Sequence, residues 1–97
     1  MTPEGRVKAR VKAVLKAHDA YYHMPVQNGM GAPSLDFIGC FHGLYFAVET
    51  KAPGGKPTPR QLNTIAEIER AGGKVFVIDG DTGALEDWLK EVQDGVQ

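Results

Sequence analysis

One cysteine in 97 residues, Cys40, excludes an internal disulfide and any multi-cysteine zinc site, and it fits a reducing compartment. No apolar run approaches the ~20 residues needed to cross a bilayer, and the N-terminal stretch has no apolar segment of the kind that directs secretion. Repeats, linkers and low-complexity tracts are missing as well, so one domain over residues 1 to 97 is expected. A chain of this length buries roughly 60–65% of its unfolded surface on folding, and a partner subunit would add to that. Net charge is small too, at −1. That figure conceals an asymmetry. Residues 1 to 60 hold eight Lys or Arg against four acids, whereas residues 61 to 97 hold three against eight. A basic half of this kind suits a phosphate-backbone binder, although solvated helix faces give the same count.

The chemistry lies between Pro33 and Lys51. Leu35 to Phe41 and Leu44 to Val48 are short apolar runs joined by His42-Gly43, so they read as the two strands of a hairpin. Asp36 opens the first strand and Glu49 closes the second, and antiparallel pairing about the turn brings the two carboxylates to the same end of the sheet. Lys51 is two residues past Glu49 and shares its face, because side chains alternate along a strand. Two carboxylates supply hard anionic oxygens that suit Mg2+ or Mn2+. A metal held there polarises a phosphate and helps to ionise a water, while a neighbouring ammonium orients that water or stabilises growing negative charge. The same residues permit a plainer reading, in which Glu49 and Lys51 form a solvated surface pair and Asp36 merely starts a strand.

The rest of the chain supplies the frame. Thr2-Pro3-Glu4 is a helix start, and Val7, Val11, Val14 and Leu15 recur on one stripe of the helix that follows. Glu4 is on the stripe's side, where it could reach a metal through water or only complement the helix dipole. Tyr21 to Val26 reads as a strand, and Gln27 to Ala32 as a mobile loop bordering the hairpin and able to embrace a substrate. His18 and His23 have no partner at metal-ligand spacing. His42 is a turn residue, and Cys40 a core strand residue. Ala52 to Pro57 forms a loop near the acids. Thr58-Pro59-Arg60-Gln61 then opens a second helix with a capping box. Gln61 could also face the acids, and Lys56, Arg60 and the helix start could hold a phosphate. Leu62, Ile65, Ala66 and Ile68 are the expected inward stripe of that helix. Lys74 to Asp79 reads as a strand buried on both faces. A last amphipathic helix carries Leu85, Trp88, Leu89 and Val92, with Trp88 as core or interface.

A first-helix Glu, an Asp at a strand start, Glu-x-Lys at the end of the next strand and a Gln early in the following helix resemble the PD-(D/E)xK nuclease superfamily. Within it, Glu4, Asp36, Glu49-Thr50-Lys51 and Gln61 resemble a stand-alone virus-type replication-repair nuclease (VRR-NUC) domain over residues 1 to about 80. The family usually places Pro directly before the Asp, whereas Ser34-Leu35 intervene here after Pro33. The resemblance implies an α/β, restriction-endonuclease-like three-layer fold in α-β-β-β-α-β-α order, with a central mixed sheet flanked by helices. It implies a Mg2+- or Mn2+-dependent endonuclease acting on DNA. Asp36 and Glu49 would bind metal directly, the Thr50 backbone carbonyl would complete the shell, and Glu4 would help through a water. Lys51 would serve the attacking water, and Gln61 would orient the lysine or the scissile phosphate.

Stand-alone domains of this family are similar to Holliday-junction resolvases of DNA repair and recombination that work as homodimers. A four-way junction substrate, a homodimer and a place in the cytoplasm of a bacterium or of a virus's host follow as expectations. Arg6, Lys8, Lys56 and Arg60 would contact the DNA, and the Trp88 helix, the outer strand, Met24 or Met30 would meet the second copy. Two other classes stay open: a nucleic-acid-binding module that kept the fold and lost catalysis, and a small α/β protein-interaction domain.

Overall fold

The N-terminal helix begins where its cap chemistry dictates. The Thr2 hydroxyl accepts from the Gly5 N–H at 3.0 Å and Pro3 stands at the first turn, opening α1 (Pro3–Ala17). In the computed structural model, which describes residues 1–26 and 34–95, α1 is followed by β1 (Tyr21–His23), β2 (Phe37–Phe41), β3 (Leu44–Thr50), α2 (Pro59–Arg70), β4 (Lys74–Ile78) and α3 (Gly83–Gln93). The expected loop Gln27 to Ala32, Pro33 and the expected dimer contact Met30 lie outside the described residues. Tyr21 to Val26 is a shorter strand than expected, ending at His23.

The hairpin forms about His42-Gly43, whose φ angles of 50° and 81° are both positive, the signature of a type I′ turn that matches strand twist. Its register pairs Phe41 with Leu44 and Phe37 with Val48. β1 adds to β2 antiparallel and β4 adds to β3 parallel, giving a mixed sheet in the order β1-β2-β3-β4. Gly39 is required where β1 meets the hairpin, because a Cβ there would collide with the Tyr21 carbonyl and the Phe46 ring.

Alternation assigns the sheet's two faces. Phe37 and Phe41 of β2, Phe46 and Val48 of β3, and Phe76 and Ile78 of β4 point to one side. There they meet Val7, Val11 and Leu15 of α1 and Leu85, Leu89 and Val92 of α3 in one apolar cluster. Trp88 packs onto it, with its ring 5.6 Å from Phe76 and 5.9 Å from Phe46. The opposite side, bearing Tyr45, Ala47 and Glu49, faces α2, and the three layers are those expected of the chain.

Three expectations about this second side are corrected. β4 is the last strand of the sheet and not buried on both faces, since Val77 is 44% exposed. α2 has no buried residue: Leu62 and Ala66 of its expected inward stripe are exposed, and Ile65 and Ile68 are half-buried together with Gln61 and Thr64, because the face that meets the sheet is the one that carries Gln61 to Glu49. Cys40 is exposed and not a core residue, because the alternation that buries Phe41 turns its neighbour to this open side. Among the described residues no helix is long and apolar enough to cross a membrane.

Candidate active site

The end of the hairpin farthest from its turn gathers the acids. Because Phe37 pairs with Val48, Asp36, the residue just before β2, comes level with Glu49 at the end of the ladder. Glu49 is 3% exposed and Thr50 fully buried, the buried polar positions of the described core. A carboxylate in such a place must find donors. Gln61 Nε2 donates to Glu49 Oε2 at 2.9 Å, Lys51 Nζ stands 3.5 Å from the same oxygen, and the Asp36 backbone N–H also donates to the carboxylate. Burial and the nearby Asp36 charge still outweigh Lys51, raising the Glu49 pKa from an ordinary 4.5 to about 7.

Each neighbour is set in place by backbone structure. The Lys51 N–H donates to the Ile78 carbonyl at 2.9 Å, continuing the ladder between β3 and β4 one residue beyond Thr50. This fixes the root of the lysine and leaves its ammonium on Glu49's side. Gln61 fills both roles that its position allows. Its Oε1 accepts from the Thr58 N–H at 2.9 Å in the capping box while its Nε2 reaches Glu49. The helix start is thereby tied to the acid. After Lys51 the chain turns through Gly54, whose N–H donates to Asp79 Oδ2 at 3.1 Å, so the loop bearing Lys56 is tethered beside the site.

Asp36 is held by a group that the sequence did not mark for the purpose. The Thr50 side chain lies on the opposite face from Glu49, and its Oγ1 donates to Asp36 Oδ2 at 2.7 Å while its N–H donates to the same oxygen at 2.9 Å. The resemblance gives Thr50 a role for its carbonyl; its hydroxyl and amide, in addition, orient a carboxylate. Alternation along Glu-x-Lys was the available signal, because it turns the middle side chain inward, where a hydroxyl needs a partner. The other oxygen, Asp36 Oδ1, faces Lys8 Nζ at 3.7 Å, and Glu4 Oε2 is 3.7 Å from the same ammonium. Glu4 therefore comes to the site's margin through a lysine. Lys8, expected to contact DNA, is drawn in among the acids, whereas Arg6, Lys56 and Arg60 are exposed.

The arrangement combines a buried carboxylate whose pKa is raised, a clamped carboxylate with one oxygen turned to a cation, an ammonium and an amide donor. Hard anionic oxygens of this kind suit a divalent ion such as Mg2+ or Mn2+. Glu49 and Asp36 repel one another, and a shared divalent cation would relieve that repulsion. The fit is that of a site in which the protein supplies few ligands. No cluster of three or more His, Cys, Asp or Glu side chains in metal-holding geometry occurs among the described residues, so water and substrate oxygens would fill the remaining positions.

No protein-family model matches the chain, and no curated protein matches it. A solved structure described as a VRR_NUC domain aligns with it over 100% of both chains, with a TM-score of 0.71 and 21% sequence identity. At that identity the likeness establishes the architecture, and the chain shares the fold of this VRR_NUC domain from end to end.

Proposed function

We propose that the protein is a metal-dependent endonuclease of the VRR-NUC kind, hydrolysing phosphodiester bonds in DNA. The observation that carries the reading is the convergence of Lys51 and Gln61 on the buried Glu49 carboxylate, with Asp36 beside it. Burying an acid beside a cation carries a desolvation cost, and strongly perturbed titratable groups of this kind cluster at functional sites. The shared fold with a VRR_NUC domain supports the same conclusion.

Asp36 and Glu49, with the Thr50 carbonyl, would hold Mg2+ or Mn2+, which when bound polarises the scissile phosphate and acidifies a coordinated water. Lys51 keeps an ammonium at the acid's edge, where it orients the attacking water and stabilises charge on the phosphate oxygens. Gln61 prevents Glu49 from turning away and presents its amide beside the phosphate. Glu4 stands at the margin for a water-mediated contact, and Arg6, Lys56 and Arg60 offer exposed cations to the flanking backbone. A homodimer acting on a branched or four-way junction completes the proposal. It is supported by the incompletely covered sheet face, where Tyr45 and Val77 are each 44% exposed.

Incubation of the purified chain with a labelled four-way junction and Mn2+ tests the reading. Lys51→Ala is expected to slow cleavage by about 10²-fold or more while junction binding persists. Binding by the unaltered protein without cleavage would support a nucleic-acid-binding module instead, and neither binding nor cleavage a protein-interaction domain.

A further inference from the structure

Asp36 has one oxygen committed and one exposed to choice. Oδ2 accepts two hydrogen bonds from Thr50, at 2.9 and 2.7 Å, which leaves Oδ1 as the more open oxygen for a cation. That place is taken by Lys8. Its Nζ stands 3.7 Å from Asp36 Oδ1 and 3.7 Å from Glu4 Oε2, bridging an acid of the sheet and an acid of α1. The spacing of Glu4 and Lys8, four residues apart on one helix, holds the ammonium beside Glu4, and the packing of α1 against the sheet brings it to Asp36. The Lys8 side chain is 36% exposed, so a four-carbon stem with an open route to water carries the charge, and it can swing out without disturbing the core.

We propose that Lys8 is a resident counter-cation of the carboxylate site, displaced from Asp36 when a divalent ion binds and then free to meet a DNA phosphate. The proposal rests on the nuclease reading above and adds to it a specific exchange. In the free protein the ammonium offsets the charge of Asp36 and Glu4; on metal binding the offset becomes redundant and the like charges separate. A phosphate that captures the released ammonium favours the metal-bound arrangement, and by linkage the metal favours phosphate binding to the same extent. Lys8 thus weakens metal binding in the absence of substrate and couples it to substrate when present.

Calorimetric titration of the full chain with Mn2+ alone, at an ionic strength near 0.15 M where separate surface charges are screened beyond about 8 Å, tests the exchange. Lys8→Met is expected to tighten Mn2+ binding by about 3- to 10-fold, the scale set by a pair of partly exposed ion pairs. Lys8→Arg, which keeps the cation, should retain the unaltered affinity. Lys16→Met, about 12 Å farther along the helix, should also leave it unchanged. Unchanged or weaker binding by Lys8→Met, or equal tightening by Lys16→Met, would overturn the proposal while leaving the nuclease reading intact. Failure of the unaltered chain to bind Mn2+ at all would overturn both. Should Lys8→Met lose its helical circular dichroism, Lys8→Gln takes its place with the same expectation.

Discussion

On one face of the sheet Phe37, Phe46 and Val48 have no access to water, whereas on the other Tyr45 and Val77 are each 44% exposed. The first face is closed by two helices, α1 and α3, whose buried stripes meet it directly. The second has α2 alone, a helix with no buried residue, and it carries the buried acid. Folding free energy and site chemistry are therefore drawn from different sides of the same strands. β3 serves both: Phe46, Val48 and Thr50 point to the closed side, and Tyr45, Ala47 and Glu49 to the open one. Thr50 joins the two, because a hydroxyl from the closed side holds a carboxylate at the sheet's end.

The comparison breaks most sharply if the acids of the site prove essential to the fold. Asp36→Asn and Glu49→Gln are each expected to abolish metal-dependent cleavage of a labelled junction while leaving the circular dichroism spectrum unchanged. Loss of the folded spectrum in either variant would place those acids in the structural core instead. Next in size is a contrast in stability measured by urea unfolding. Phe46→Ala should cost about 3–5 kcal/mol, while Leu62→Ala, on the open side, should cost less than about 1 kcal/mol.

The effect of pH follows from Glu49. Its folded pKa of about 7 lies above the ordinary 4.5, so between these values the folded protein holds a proton that the unfolded chain has released. Its contribution to stability is fully present below about 4.5 and is lost as pH rises through about 7. Urea midpoints recorded across that window should fall with rising pH, and Glu49→Gln should flatten the slope. A more local change is expected in Thr50→Val, which keeps the backbone N–H bond to Asp36 and removes the hydroxyl. A loss of about 1 kcal/mol in stability with weaker Mn2+ binding is expected, and Thr50→Ser should restore the binding.

Much of this frame was legible in the residues themselves. The hairpin register follows from two apolar runs and a two-residue turn, and that register alone sets Asp36 level with Glu49. Thr58 and Gln61 announce a capping box, which the structure contains together with the contact to Glu49. What local pattern does not encode is the number of layers above a face. Cys40, Val77 and the Leu62 stripe look buried by composition, yet their exposure is decided by the lone helix that covers their side and by the sheet ending at β4. Lys8 was hidden for a related reason. In a helix with many cations it reads as a DNA contact, and only its spacing from Glu4, combined with the position of the start of β2, brings it to Asp36.

The most direct measurement is calorimetric titration of Mn2+ into the unaltered protein and into Asp36→Asn and Glu49→Gln. Binding by the unaltered chain that is lost in both variants is the predicted result. Undiminished affinity in either variant, with the fold retained, would contradict the assignment of these two carboxylates as the metal-holding pair.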